Sequence, residues 1–296
     1  MANILDKIIN RIYPPQHLAF YGQRMLSGRS QREFVSRLAC KFLPPIATQA
    51  TSYSEGVSQL QTRGYTMLDD LVSPEQVKAM VEYFAHKLVY DRWNQGGGMF
   101  DPMQPPAECH TAPFTNTDIV HSPHAIQWAN HPKVLEIVEH VLGAKPTVSN
   151  MSVWWSYPGH DTPQEAENFH RDVDDLRFIK LFIYLSDVDE RAGPHVFVPT
   201  SQNHPGFKRI RRYSDEEVEQ EFGRDGIHYF TGLKGSAFLE NTYGLHKGQL
   251  PTHTRRLLFQ VQYSLHPIGI YKYQPLPTPA CLGVDVDRYI NRLYLK

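Results

Sequence analysis

The sequence predicts a mainly β protein with flanking helices, a sandwich or jelly roll. Two observations carry this. From residue 146 onward the hydrophobic period becomes two, with at least five short runs rich in β-branched and aromatic residues separated by turn-rich connections. The chain also holds 15 Phe, 16 Tyr and 4 Trp among its 296 residues, which suits a β-rich core or a pocket for an organic ligand.

Residues 1–60 read as a helical N-terminal extension. Ile4, Leu5, Ile8, Ile9 and Ile12 share one helical face, and Pro14-Pro15 ends that helix. A second, basic helix carries Arg29, Arg32, Arg37 and Lys41 and stops at Pro44-Pro45. Its basic residues are expected to form a solvated face over a packed apolar one. A surface for an acidic partner or a membrane is the alternative.

The main domain is placed at residues 61–296, with its β core at about 146–265. It opens on a short strand, Gly64–Leu68. Ser73-Pro74-Glu75-Gln76 then caps a helix whose apolar face runs through Val77, Met80, Val81 and Phe84. A further helix starts near Pro132, and Gly143 ends it. Between the two helices, the polar stretch Asn94–Pro123 with Gly96-Gly97-Gly98 is long for a structureless connection, and an active-site lid or rim is expected.

The strands follow. Thr147–Tyr157 stops at Pro158-Gly159. Phe178–Leu185 alternates, with Phe178, Lys180, Phe182 and Tyr184 on one face and Ile179, Leu181, Ile183 and Leu185 on the other. His195–Pro199, Gly235–Glu240 and Leu257–Leu265 complete the set, and the acidic run Asp215–Phe222 reads as a surface helix inserted among them.

His170-Arg171-Asp172, followed by His246 and then Arg255, is the pattern that speaks of chemistry. With 15 histidines in the chain, one His-x-Asp is roughly what chance supplies, so the tripeptide is weak by itself. Its context strengthens it. His170 and Asp172 directly precede a strong strand and project to one side of an extended segment, while His246 lies between two later strands. Two imidazoles and one carboxylate, without a thiolate, suit Fe(II) held by one face, with the opposite face open for a co-substrate and O2. Arg255 can then grip the far carboxylate of a 2-oxo acid by a bidentate ion pair, and Arg256 is the alternative. Lys180 shares a strand face with three aromatic residues. It either shares that carboxylate with Arg255 or reaches solvent past the rings.

No HExxH, GxSxG, P-loop or plausible GxGxxG is present, which leaves zinc-protease, serine-hydrolase and nucleotide readings without an anchor. The 30 basic and 31 acidic residues nearly cancel, which argues against nucleic acid as a partner. Three distant cysteines, Cys40, Cys109 and Cys281, form no CxxC pair and fit a reducing cytoplasm. The N-terminus does not read as a secretory signal, and no transmembrane segment is expected.

The stretch FHRDVDDLRFIKLFIYLSDVDERAGPHVFVPTSQNHP, and later GLHKGQLPTHTRRLLFQVQYS, resembles the phytanoyl-CoA dioxygenase-like family of Fe(II)/2-oxoglutarate-dependent oxygenases. The likeness runs from about Thr147 to Ser264, and more weakly through GYTMLDDLVSPEQV and HPKVLEIVEHVLG. It implies a double-stranded β-helix (cupin-like). It also implies His170, Asp172 and His246 as iron ligands and catalytic centre, and Arg255 on the 2-oxoglutarate carboxylate. The implied activity is hydroxylation of an unactivated C–H bond of a small organic or acyl substrate, with release of succinate and CO2. Pro-Thr-Ser-Gln-Asn-His departs from the family's usual Pro-Gly-Ser-His. The rival readings are a non-catalytic jelly roll that binds a metal or small ligand, and a demethylase of the same mechanistic type. Neither the substrate nor the oligomeric state is readable from the sequence.

Overall fold

The computed structural model describes residues 15–26, 28–47, 51–279 and 285–296. The expected helix through Ile4–Ile12 and the residue Cys281 lie outside them. Helices α1 (Pro15–Arg24), α2 (Arg29–Cys40) and α3 (Ser54–Thr62) precede strand β1 (Tyr65–Met67) and helix α4 (Pro74–Ala85). Then come β2 (Val89–Tyr90), β3 (Met99–Phe100), β4 (Thr111–Pro113), α5 (Asn116–Val120), α6 (Ala125–Ala129) and α7 (Pro132–Leu142). The β core comprises β5 (Thr147–Ser156), β6 (Phe178–Tyr184), β7 (His195–Phe197), β8 (His228–Phe230), β9 (Ala237–Glu240), β10 (His246–Gly248) and β11 (Arg256–Ser264), with α8 (Asp215–Phe222) between β7 and β8 and α9 (Arg288–Asn291) after β11.

Six strands form a main antiparallel sheet in the order β1-β9-β6-β11-β5-β4, and β10-β7-β8 form a smaller one. Strict alternation sorts the side chains of the main sheet. Ile179, Leu181 and Ile183 of β6, with Leu257, Phe259, Val261 and Tyr263 of β11, pack on Val77, Met80 and Phe84 of α4 and Val134, Ile137 and Val138 of α7. The other face turns toward the small sheet, where Phe182, Tyr184, Phe238 and Leu258 meet Phe197 and Phe230. A jelly roll covered by helices on one side is the result, as the alternation predicts.

The caps form where the sequence places them. Ser73 accepts a hydrogen bond from Gln76 N–H in a full capping box, and Gly143 closes α7 at φ +82°. The stretch Asn94–Pro123 is less loose than expected: β4 pairs with β5 at the sheet edge, and α5 follows it.

Helix α2 departs from its expected polarity at one basic residue: Arg29, Arg37 and the following Lys41 are exposed as expected, and Arg32 is not. Arg32 is buried at 6% exposure, while Phe34 and Leu38 are 70% and 48% exposed. The reason is a set of backbone acceptors. Arg32 donates to Asp175 O (2.5 Å) and Leu176 O (3.3 Å), while Gln23 and Arg24 of α1 donate to Val173 O (2.8 and 3.1 Å). A guanidinium that satisfies several carbonyls can be buried where an apolar side chain would leave them unpaired. The helical extension is thus fastened to the segment that follows the His-x-Asp motif. Among the described residues, no helix is long and apolar enough to cross a membrane.

Candidate metal centre and cavity

The two histidines of the motif are brought together by backbone pairing. His170 N–H donates to His246 O (2.9 Å) and His246 N–H to His170 O (3.0 Å), a hydrogen-bonded antiparallel pair. Asp172 N–H donates to Thr242 O (2.9 Å), two residues out of the register that the His170–His246 pair sets. With period two, His170 and Asp172 fall on one side, facing His246. Their ligand atoms lie within 4.8 Å of one another. His170 Nε2 is 3.7 Å from Asp172 Oδ1, and His246 Nε2 is 3.4 Å from Asp172 Oδ2. Adjacent ligands each about 2.1 Å from one ion stand roughly 3 Å apart, so small adjustments close the set on a metal.

The tautomers suit this. His170 Nδ1–H donates to Asn168 O (2.9 Å) and His246 Nδ1–H to Gly244 O (3.0 Å), which leaves both Nε2 lone pairs free. Burial, and then His246, hold His170 well below the usual histidine range, so it is a neutral donor. Burial works against ionisation of Asp172, but Lys180 with His246 and His170 outweighs it and keeps the carboxyl well below its ordinary range. Burial also works against the His246 cation, yet Asp172 raises that group's proton affinity above the ordinary value. The donor set therefore fits one hard-to-borderline divalent ion with three open positions.

The cluster lines a cavity of about 770 Å³. Its main-sheet wall follows from register. Arg256 lies opposite Ser156, Leu258 opposite Trp154, Gln260 opposite Ser152 and Gln262 opposite Asn150, and all of these line the cavity. Arg256 is 3% exposed and donates to Gly193 O and to Ser156 Oγ (3.3 Å), and its Nε has no partner. Its other side faces β10: a Cβ on Gly248, two residues beyond His246, would stand 3.1 Å from Arg256 Nη2. Arg255 is half-buried, lies over the Trp155 ring at 5.3 Å and is not among the cavity residues. Of the two arginines weighed from sequence, the cavity receives Arg256 and not the favoured Arg255. The alternation of β11 explains it: Arg256 shares a face with Gln260 and Gln262, and the opposite face packs against the helices.

Lys180 is buried and ion-paired to Asp172, with Nζ 2.6 Å from Oδ2. It pairs in register with Gln262, six residues beyond Arg256 on β11, about 20 Å of strand. The expectation that Lys180 shares an anion with an arginine of this strand does not match the placement, since its carboxylate partner is the protein's own Asp172.

Two buried residues escape sequence reasoning. His195 Nε2 lies 2.8 Å from Glu240 Oε2, with Glu240 wholly buried. Burial pushes the Glu240 carboxyl up to about 8 and holds His195 well below its usual range, so a protonated acid meets a neutral imidazole. The one available signal is a glutamate at the end of an otherwise apolar strand, Ala237–Glu240.

Comparison with known proteins bears on the fold and the family. The family model described as phytanoyl-CoA dioxygenase (PhyH) matches residues 60–250. No curated protein sequence matches the chain. Among solved structures, EctD from S. alaskensis with 2-oxoglutarate and 5-hydroxyectoine has a TM-score of 0.53 at 16% identity, covering 86% of this chain and 92% of that one. HygX from Streptomyces hygroscopicus with nickel and 2-oxoglutarate bound has a TM-score of 0.51 at 16% identity, covering 80% and 98%. SnoK, a non-heme α-ketoglutarate-dependent carbocyclase from nogalamycin biosynthesis, has a TM-score of 0.52 at 17% identity, covering 74% and 86%. At such identities the likeness is one of fold, the double-stranded β-helix. With most of its length matched by the family model and a His-Asp-His cluster at the mouth of that fold, the chain belongs to the phytanoyl-CoA dioxygenase (PhyH) family.

Proposed function

We propose that this protein is an Fe(II)- and 2-oxoglutarate-dependent oxygenase that hydroxylates an unactivated C–H bond of a small organic substrate. One observation carries the reading: a convergent His170–Asp172–His246 cluster with both Nε2 atoms free, in the same cavity as a buried arginine that has no carboxylate partner. The cluster supplies the iron ligands, and Arg256 supplies the cation for the far carboxylate of 2-oxoglutarate. When bound, iron with 2-oxoglutarate and O2 supplies the oxidising chemistry, with succinate and CO2 as co-products.

The chain's own residues do the rest. Asn168 and Gly244 carbonyls fix the two imidazoles, and Lys180 holds Asp172 ionised and oriented. Phe182 and Leu258 line the cavity near the cluster and limit water there. Asp172 itself occupies the ligand position that a halogenase of this kind leaves to chloride, which favours hydroxylation or desaturation.

The test is succinate release from 2-oxoglutarate by Fe(II)-loaded protein, screened over small organic acids and amides. Release that depends on His246 and rises with one substrate class supports the reading. Fe(II)-loaded protein that releases no succinate above a His246→Ala control, with any substrate, counts against it.

A further inference from the structure

Seven cationic side chains line the cavity, and six of them make at least one hydrogen bond or ion pair within the protein, three with a carboxylate and three with uncharged oxygens only. Arg24 donates to Val173 O, Arg171 to Tyr243 O and Ser201 O, and Arg256 to Gly193 O and Ser156 Oγ. Lys180 pairs with Asp172, Arg211 with Glu217 and Arg212 with Glu165. Arg92 lines the same cavity, and among the described residues its guanidinium makes neither a hydrogen bond nor an ion pair. Its Cζ lies 5.7 Å from the centroid of the Trp154 ring, a contact that holds the group without neutralising it. Desolvation works against its charge, and no carboxylate stands close enough to oppose that effect. Arg92 is half-buried, so its charge is only partly desolvated, and a cation so placed without an anion is open to an anionic ligand.

The backbone beneath Arg92 is pinned. Arg92 N–H donates to Thr111 O (3.3 Å), and the buried Asp91 accepts from Trp93 N–H (2.8 Å) and Asn94 N–H (3.1 Å). The guanidinium is therefore presented from a fixed turn. A second observation points to a ligand. Gln262, 2% exposed and lining the cavity, has a buried amide nitrogen with no partner in full hydrogen-bond geometry, the Asp174 carboxyl of the same cavity approaching its side chain. It sits beside Asn150 in register, forming an amide wall of the same chamber. Tyr271 lines the cavity together with Arg92 and with His170, Asp172 and His246, so the arginine and the metal cluster flank one space.

We infer that Arg92 is the anchor of a substrate subsite for a small organic carboxylate, with the Asn150–Gln262 wall receiving a hydrogen-bonding group on the substrate's body. The carboxylate meets the guanidinium on the side away from Trp154, and the carbon skeleton extends toward His170, Asp172 and His246. Identifying this anion as the substrate rests on the oxygenase reading. The anion site itself does not, because Arg256 and not Arg92 is the residue assigned to 2-oxoglutarate.

The test uses the full-length chain without metal and two matched probe pairs, phenylacetate against phenylacetamide and hexanoate against hexanamide, titrated by calorimetry. At least one carboxylate is expected to bind ten times or more tighter than its amide. Arg92→Gln removes that preference and Arg92→Lys recovers part of it. In a separate anaerobic titration with Fe(II), Arg92→Gln leaves 2-oxoglutarate affinity within twofold of wild type. The inference is overturned by equal binding of acids and amides to the wild type, or by no binding of either. It is also overturned by a preference that survives Arg92→Gln, or by loss of 2-oxoglutarate affinity in that variant. If the wild type binds no Fe(II) and 2-oxoglutarate while the Arg92-dependent preference persists, the oxygenase reading fails and the anion site stands.

Discussion

Lys180 Nζ stands 2.6 Å from Asp172 Oδ2, so the one carboxylate of the metal cluster is held by a buried lysine from the main sheet. Burial works against the lysine's charge, yet Asp172 and then Asp174 raise its proton affinity above the ordinary value. The pair keeps Asp172 ionised while no metal shares it, and a bound divalent ion takes over much of that duty.

Removing the lysine therefore has a cost that depends on metal. Lys180→Met leaves Asp172 buried without its cation and is expected to destabilise the metal-free protein by about 3 kcal/mol. A divalent ion restores more stability to the variant than to the wild type, because only the variant lacks a counter-charge. Thermal unfolding with and without Mn(II) reads this directly, and an equal metal-induced change in both proteins contradicts it.

Arg256 and its neighbour separate by function. Arg256→Met is expected to weaken 2-oxoglutarate binding about tenfold to a hundredfold, the loss of one charge-assisted pair of about 1.5–3 kcal/mol. Arg255→Met, which removes only a cation lying over the Trp155 ring, leaves that affinity unchanged. Arg256→Lys keeps the charge but loses the fork and falls between them. Titration of 2-oxoglutarate into the Fe(II) protein ranks the three.

The Glu240–His195 contact gives a pH signature. Glu240 has a folded-state value of about 8, against 4.5 for an ordinary glutamate, so the folded protein retains a proton that the unfolded chain releases. Stability from this group is full below pH 4.5, falls as pH rises and levels off above about 8. Glu240→Gln, which imitates the protonated acid, removes the slope. Measured in urea without metal, the variant is expected to gain at least about 1.4 kcal/mol on the wild type between pH 5 and pH 8, the free energy of a tenfold change in proton affinity. A difference that does not change with pH contradicts this. Burial raises the value, with His246, Asp172 and Lys180 adjusting it, and none of these three groups is altered by the substitution.

Arg32 ties the N-terminal helices to the segment behind the metal motif. Arg32→Met is expected to cost about 2 kcal/mol, because it strands the buried carbonyl of Asp175 and loses a hydrogen bond to Leu176 O. Protease cleavage between residues 25 and 45 speeds up in the variant if the contact holds the helices in place.

Much of this is legible in the sequence because local signals and the β period agree. The capping box at Ser73, the Gly143 stop and the two faces of Phe178–Leu185 rest on neighbours in the chain, and each forms as read. His170 and Asp172 are marked by their strand context, and His246 reaches them through backbone pairing with the motif itself. What the sequence leaves open depends on partners far away in the chain. Arg32 looks like a solvated helix residue until the carbonyls of residues 175 and 176 are placed against it. Glu240 and His195 are ordinary until the small sheet folds over the main one. The choice of Arg255 over Arg256 is the exception, since the alternation of Leu257, Phe259 and Val261 already marks the face that Arg256 does not share.

His170, Asp172 and His246 are expected to hold Fe(II) with an open face for 2-oxoglutarate. Anaerobic addition of Fe(II) and then 2-oxoglutarate, followed by visible absorption, tests it most directly. A charge-transfer band that saturates at one equivalent of iron, and that His170→Ala abolishes while the variant stays folded, is the result expected. A band that survives His170→Ala, or a wild-type protein that takes up iron and 2-oxoglutarate without any band, contradicts the account.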